Sequence, residues 1–168
     1  MIEIVPHKSE WVETFNALKN ELWPKLERIA LAMEHVGSTS VPDLYAKPIV
    51  DIAVIVDSPD ATLEVIQILQ NSGYEHRGDL GIKGCESFKR PEGSPKHNLY
   101  VALKDCLSLR NHLAVKQHLL TNKGAREEYS RLKLSRDELN EIREANKVGQ
   151  VHPVIFEAKL ADLEEICQ

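Results

Sequence analysis

One apolar run near the middle of the chain constrains the fold more than any other feature. Residues 48–56 read PIVDIAVIV and are followed by the turn-forming sequence DSPD. β-Branched residues of this kind pack well on a pleated sheet, and the run has about the length of one strand. We therefore predict a central β-strand, with a single acidic residue, Asp51, inside it.

Helices and shorter strands are predicted on both sides of this strand. Before it, apolar residues recur every three or four positions, as on one face of an amphipathic helix: Trp11, Phe15, Leu18, Leu22, Leu26 and Ile29. Pro24 lies inside that pattern and predicts a kink, or a break with a second helix starting nearby. The other patterns predict strands at residues 2–5 and 97–103, a helix at 61–71, and short strands within 74–90.

The chain after Asp105 shows a helical pattern to its end, where a last helix is expected to carry Ile155, Leu160, Leu163 and Ile166. Strands in the first two thirds and helices in the last third predict an α/β (α+β) fold. We expect a mixed β-sheet flanked by helices, with a helical C-terminal third. A length of 168 residues is typical of one domain, so residues 1–168 are expected to form a single domain.

Composition and charge argue against several classes of protein. A formal net charge of -5 does not suit a dedicated nucleic-acid-binding protein, because neutralising many phosphates needs a basic surplus. No apolar stretch reaches the ~20 residues that span a bilayer, and the first residues lack the features of a secretory signal. The three cysteines show no C-x-x-C spacing. We therefore expect a cytoplasmic protein with reduced thiols and no membrane partner.

A cluster of small and hydroxyl residues, Gly37-Ser38-Thr39-Ser40, precedes the predicted central strand. Gly37 allows a sharp turn and a close approach to a ligand. The three hydroxyl residues offer side-chain and backbone donors where a helix would begin, and such an end attracts phosphate. The structural alternative is that the cluster only caps a short helix.

Asp51 is expected to need a partner, because an unpaired ion among apolar strand residues is costly to bury. Mg²⁺, held by one or two carboxylates together with substrate phosphates, is one such partner. The structural alternative is that Asp51 accepts hydrogen bonds from backbone amides or pairs with an arginine.

The motif around these residues resembles the signature of a known family. Residues 34–42 read EHVGSTSVP and residues 46–52 read AKPIVDI, which together resemble the signature of the GrpB family. Asp43 and Tyr45 stand where that family more often has glycine and a variable residue. Further matching stretches are GI at 81–82, HNLYV at 97–101, LRNHL at 109–113 and YSRLK at 129–133. The resemblance therefore spans nearly the whole chain.

The resemblance implies a fold and a chemistry. GrpB proteins are similar in fold to the DNA polymerase β-type nucleotidyltransferases, in which a Gly-Ser turn grips a nucleoside triphosphate and strand carboxylates bind two magnesium ions. By this resemblance Gly37 and Ser38 would contact the nucleotide, and Asp51 would be a catalytic acid that binds Mg²⁺. The metals in such enzymes activate the attacking hydroxyl and stabilise the pyrophosphate leaving group.

The chain departs from that superfamily pattern at Ala53, where a second acid is expected. Side chains alternate along a strand, so Asp51 and Ala53 share a face and only Asp51 can bind a metal there. We expect a replacement ligand from a neighbouring strand, with His97 as the first candidate for metal and substrate contact and Glu86 as the second. The structural alternatives are a core or surface histidine and a solvated strand charge.

Two basic residues in the matching stretches, Lys47 and Arg110, are further candidates for phosphate contacts, because an ammonium or a guanidinium group can bind phosphate. Both are also compatible with plain surface charges. His35, beside the turn, is expected to act as a hydrogen-bonding scaffold and not as a base.

Three functions fit these residues. The first is a nucleotide-binding enzyme that transfers a nucleotidyl group to a small acceptor. The second is a non-catalytic nucleotide-binding accessory or sensing module, which Ala53 and the family's occurrence fused to dephospho-CoA kinase favour. The third is a site for another phosphorylated metabolite. The sequence leaves the oligomeric state open.

Overall fold

The computed structural model describes residues 4–134 of the chain. Helices and strands in this range follow in the order α1 (Glu10–Leu26), β1 (Ala32–Val36), β2 (Val50–Val56), α2 (Pro59–Asn71), β3 (Glu75–Gly78), β4 (Cys85–Lys89), β5 (His97–Leu103), α3 (Leu107–Thr121) and α4 (Lys123–Leu134). A single 3₁₀ turn, Ser38–Ser40, lies between β1 and β2.

The strands form one mixed sheet in the order β1-β2-β5-β4-β3. The predicted central strand, β2, pairs in parallel with β5 and antiparallel with β1. Strand β4 pairs antiparallel with both β5 and β3. The mixed sheet flanked by helices, predicted from the order of the sequence patterns, is thereby confirmed.

The main hydrophobic core lies on the face of the sheet that α1 and α2 cover. Strand β2 gives alternate residues to it: Val50, Ile52, Val54 and Val56. Helix α1 gives its predicted apolar face, and Leu22 and Leu26 are 0% exposed. Because each fully buried side chain of this size stabilises the fold by about 1.5–3 kcal/mol, this core holds β2 in its register.

Helix α1 continues through Pro24 and ends at Leu26, and the chain enters β1 at Ala32 without another helix. The predicted alternative of a break followed by a second helix is therefore wrong. Leu22 and Leu26 flank the proline and are both fully buried. Their packing holds the last turn in place and offsets the backbone hydrogen bond that proline cannot donate.

The opposite face of the sheet carries a smaller apolar cluster under α3, made of Val36, Ala53, Cys85, Ala102 and Leu109. A third cluster joins the segment after the 3₁₀ turn to α3 and α4 and contains Val41, Leu44, Leu119 and Ala125, with Tyr129 packed against it. This third cluster fixes the position of α4 relative to the turn.

Two predicted segments near the ends of the chain have different outcomes. Val5 forms only an isolated antiparallel bridge with Ala46, where a strand over residues 2–5 was predicted, and residues 1–3 lie outside the described range. The helices expected after Leu134, including the one with Ile155 and Leu160, also lie outside the described residues.

Among residues 4–134, no helix combines the length and apolarity needed to cross a bilayer.

Candidate functional site

The Gly37 turn and Asp51 lie against each other. Val36, the last residue of β1, pairs with Asp51 at the start of β2, so the chain turns at Gly37 directly over that acid. Gly37 has φ 72° and ψ -173°, a conformation that is essentially restricted to glycine. A Cβ atom at this position would overlap with Asp51 Oδ2. Glycine is therefore required here both by its backbone angles and by the acid beneath it.

Asp51 is partly buried and accepts a hydrogen bond from a neighbouring strand. Asn98, its partner on β5, donates from Nδ2 to Asp51 Oδ1 at 2.8 Å. Burial raises the pKa of Asp51, and the Asn98 hydrogen bond and the positive charges of His112, Lys133 and Lys47 partly oppose that shift. The acid thus lies among donors and cations.

Asp51→Asn should raise the free energy of unfolding at neutral pH by on the order of 1 kcal/mol, because it removes a charge that is costly to bury and keeps the shape of the side chain. An acid whose pKa is raised by folding contributes stability that is present below its unfolded pKa and is lost as the pH rises through its folded pKa. The variant's advantage should therefore shrink as the pH falls to about 4. Urea denaturation at both pH values measures this, and an equal advantage at both would contradict it.

The hydroxyl groups of the turn have different partners. Thr39 Oγ1 lies 2.9 Å from His35 Nε2, and Ser40 Oγ donates to the Gly37 carbonyl at 2.6 Å. The pKa of His35 is lowered to about 4, mainly by burial, so this ring is neutral at physiological pH. Thr39 and Ser40 therefore maintain the shape of the turn, and His35 makes the kind of scaffold contact that was expected of it.

The third hydroxyl, Ser38, faces helix α4. Lys133 Nζ donates a hydrogen bond to Ser38 Oγ, and Tyr129 Oη lies 3.5 Å from the same oxygen. Lys133 Nζ also lies 4.9 Å from the centre of the Tyr129 ring, which is within the range of a cation–π contact. Ser38 is consequently the hydroxyl of the turn that meets a positive charge from another element.

Further basic groups lie near the turn. Lys116 Nζ on α3 donates to the carbonyl oxygen of His35 at 2.8 Å. Partial burial lowers the pKa of His112 on the same helix, and the negative charge of Asp51 opposes that shift. Lys47 is exposed and is among the charges that act on Asp51. An anion therefore meets a largely positive surface at this end of β2.

His97 does not join this group. It pairs with Val50 in the parallel register, and both side chains lie on the core face of the sheet. Its Nε2 is 2.9 Å from Tyr74 Oη and its Nδ1 is 2.8 Å from the Pro95 carbonyl, and the ring is 2% exposed. The expected contact of His97 with a metal or substrate beside Asp51 does not fit this placement, because the sheet separates the two side chains.

Glu86 and Arg110, two other sequence-based candidates, also point elsewhere. Glu86 Oε2 lies 2.7 Å from His76 Nε2, on the same face of β4 as the core residue Phe88. Arg110 is exposed on α3, about 200° around the helix from His112. The strand and helix periodicities therefore direct both side chains away from Asp51.

Five residues at the site were not selected from the sequence: Asn98, His112, Lys116, Tyr129 and Lys133. The position of Asn98 follows from the alternation of side chains along β5. His97, Leu99 and Val101 point into the core, so Asn98 lies on the opposite face, with Asp51. Tyr129 and Lys133 are the first and last residues of the YSRLK stretch that matched the family pattern. Their spacing of four residues places them on one side of a helix.

The residues around Asp51 do not fit a two-metal centre. Within the described part of the chain, no group of three or more His, Cys, Asp or Glu side chains converges in a way that could hold a metal ion. Ala53 follows on the same face of β2, and the neighbouring Asn98 presents an amide donor to the acid where a further carboxylate would be needed. Two metal ions need carboxylates placed to bridge ions about 3.5–4 Å apart.

Comparison with known proteins places the chain in a family. The model of the GrpB protein family matches residues 1–146. YqkA of Bacillus subtilis is 28% identical over 132 residues, which cover 79% of this chain and 38% of YqkA. The crystal structure of the conserved protein GrpB from Enterococcus faecalis superposes with a TM-score of 0.74 and 25% identity, over 99% of this chain and 100% of that one.

A more distant likeness concerns the fold alone. The structure of the Cid1 poly(U) polymerase with MgGTP bound matches 70% of this chain and 38% of its own, with a TM-score of 0.53 and 16% identity. It supports a nucleotidyltransferase-like fold, as predicted. Since the family model matches well over half of the chain, the chain belongs to the GrpB family.

Proposed function

We propose that this chain binds a nucleotide or another phosphorylated small molecule at the turn of Gly37 and Ser38. The observation that carries the proposal is the meeting of Ser38 Oγ with Lys133 Nζ directly beside the Gly37–Asp51 contact. A hydroxyl and an ammonium group at one point supply a donor and a charge for a phosphate oxygen. Lys116 and the exposed Lys47 add positive charge around it.

The fold likeness supports a nucleotide as the first ligand to test. Cid1 is a polymerase whose structure holds MgGTP, and this chain resembles it in fold over 70% of its length. Because the sequence identity is only 16%, the choice among nucleotides and other phosphorylated metabolites rests on experiment. Thr39 and Ser40 maintain the shape of the turn in this proposal, because their hydroxyl groups hydrogen-bond to His35 and to the Gly37 carbonyl.

Thermal unfolding with ATP, CTP, GTP and UTP tests the proposal. A ligand that binds only the folded chain stabilises it by RT ln(1 + [L]/Kd), or about 2.7 kcal/mol at a hundredfold excess over Kd. We expect a higher Tm with at least one of these nucleotides. Ser38→Ala should reduce that shift and leave the Tm of the ligand-free protein within a few degrees of the wild type.

Ser72→Ala is a matched control for this experiment. Ser72 caps α2, on the core face of the sheet, where its hydroxyl donates to the Ile68 carbonyl at 3.0 Å. It should keep the full nucleotide shift. Equal shifts in Ser38→Ala and Ser72→Ala, or no shift with any nucleotide in the wild type, would argue against the proposed site.

Nucleotidyl transfer to a small acceptor is the second candidate function. It is favoured by the position of Asp51 beside the turn and by the nucleotidyltransferase-like fold. Neither neighbour of Asp51 on this face is an acid: Ala53 follows it on β2, and Asn98 is its partner on β5. This favours binding without transfer, as in an accessory or sensing module. Pyrophosphate release from a bound nucleoside triphosphate would favour transfer, and binding without release would favour the module.

A further inference from the structure

We propose that this site holds the phosphate of its ligand with lysine ammonium groups and without a divalent cation. The inference rests on the proposed function, since it concerns how the same site neutralises its ligand. It differs from the metal-dependent chemistry that the family resemblance implies.

The single acid of the site already has neighbours at both of its carboxylate oxygens. Asn98 Nδ2 donates to Asp51 Oδ1, and Asp51 Oδ2 abuts the backbone of Gly37 so closely that no Cβ fits between them. One carboxylate oxygen thus accepts a hydrogen bond from a neighbouring strand, and the other lies against the turn. The Asn98 amide directs its NH₂ group at the acid, so the side chain beside Asp51 offers a donor and no second carboxylate for a metal ion.

The charges around Asp51 favour an anion over a further cation. Lys47 and Lys133 act on Asp51 as positive charges. Lys116 Nζ donates a hydrogen bond to the carbonyl oxygen of His35, two residues before Gly37. A divalent cation at this place would add two more positive charges to a region that already has a cationic excess. A phosphate group, in contrast, is attracted by the same lysines.

Lys133 is held in position beside Ser38. The apolar cluster of Val41, Leu44, Leu119 and Ala125 holds α4 against the turn, so Lys133 reaches Ser38 from a fixed helix. Within residues 4–134, no carboxylate lies at ion-pair distance from Lys133. Among these residues no ion pair offsets its charge, so Lys133 can neutralise a phosphate at Ser38 in the place of a metal ion.

Isothermal titration calorimetry with ATP and with inorganic tripolyphosphate tests the inference, each in buffer with excess EDTA and in buffer with Mg²⁺. We expect both probes to bind in EDTA at least as tightly as in Mg²⁺. Lys133→Met should weaken binding in EDTA at least tenfold. Circular dichroism and the Tm of the variant show that it is folded.

Lys104→Met is the matched control, because it removes an equal charge from an exposed lysine just after β5. That position lies about 20 Å along the strand from Asn98. The control should bind as the wild type does, and an equal loss in both variants would overturn the assignment to Lys133.

The outcomes separate this inference from the proposed function. Binding in Mg²⁺ that disappears in EDTA would overturn the inference and leave the proposed function standing. Binding in EDTA that Lys133→Met does not change would also overturn it. No binding of either probe in either buffer would overturn both.

Discussion

Gly37→Ala should destabilise the folded chain by about 3 kcal/mol or more, the largest effect expected from any single substitution at the site. The new methyl group would overlap with Asp51 Oδ2, and the backbone angles of Gly37 are ones that alanine rarely adopts. To remove this overlap, either the turn or the start of β2 would have to move. Urea denaturation of the variant and the wild type measures the loss in free energy of unfolding.

Gly93→Ala separates the two causes. Gly93 also has a positive φ, 78°, but a Cβ added there meets nothing within 4 Å. This control should lower the free energy of unfolding by only about 1–2 kcal/mol, because a residue with a side chain is strained in the left-handed backbone conformation. A loss at Gly37 no greater than that at Gly93 would contradict the contact between the turn and Asp51.

Asn98→Asp should destabilise the chain at neutral pH by about 2 kcal/mol or more, because it replaces the donor to Asp51 with a second carboxylate at hydrogen-bond distance. Two such groups cannot both ionise without strong repulsion, so the folded-state pKa of the pair rises. Stability that depends on a raised acid pKa is present at low pH and is lost as the pH rises. The deficit relative to the wild type should therefore shrink on acidification.

Magnesium gives this variant a second readout. A pair of carboxylates binds a divalent cation better than one, so Mg²⁺ should raise the Tm of Asn98→Asp and have little effect on the wild type. Asn98→Ala is the control, since it removes the donor to the ionised acid without adding a second acid. It should show a smaller recovery at low pH than Asn98→Asp and no Mg²⁺ effect. Wild-type stability of Asn98→Asp at pH 7 would show that the two side chains are not close.

The fold was predictable to the extent that single elements carry their own periodicity. The β-branched run of β2 and the apolar stripe of α1 each specify one type of structure, and both are present. The proline in α1 was harder to interpret, because the packing of Leu22 and Leu26 outweighs the lost hydrogen bond. Residues 2–5 have a strand-like pattern, but the described part forms a single bridge at Val5.

The candidate site was predictable only where its residues are close in sequence or share a strand. The proximity of Gly37 to Asp51 follows from the antiparallel pairing of β1 with β2 across a short connection. The predicted role of His97 beside Asp51 does not fit the geometry, because alternation along β5 places the histidine in the core. The contact of Lys133 with Ser38 joins residues 95 positions apart, and no local pattern specifies such a pairing.

The central claim is that the Gly37 turn, Asp51 and Lys133 enclose one phosphate-binding site. A crystal structure of the chain grown with ATP tests it most directly. We expect a phosphate group within hydrogen-bond distance of both Ser38 Oγ and Lys133 Nζ, with the Gly37–Asp51 contact intact. Bound ATP at another surface, with Lys133 still on Ser38 and no phosphate beside them, would contradict it.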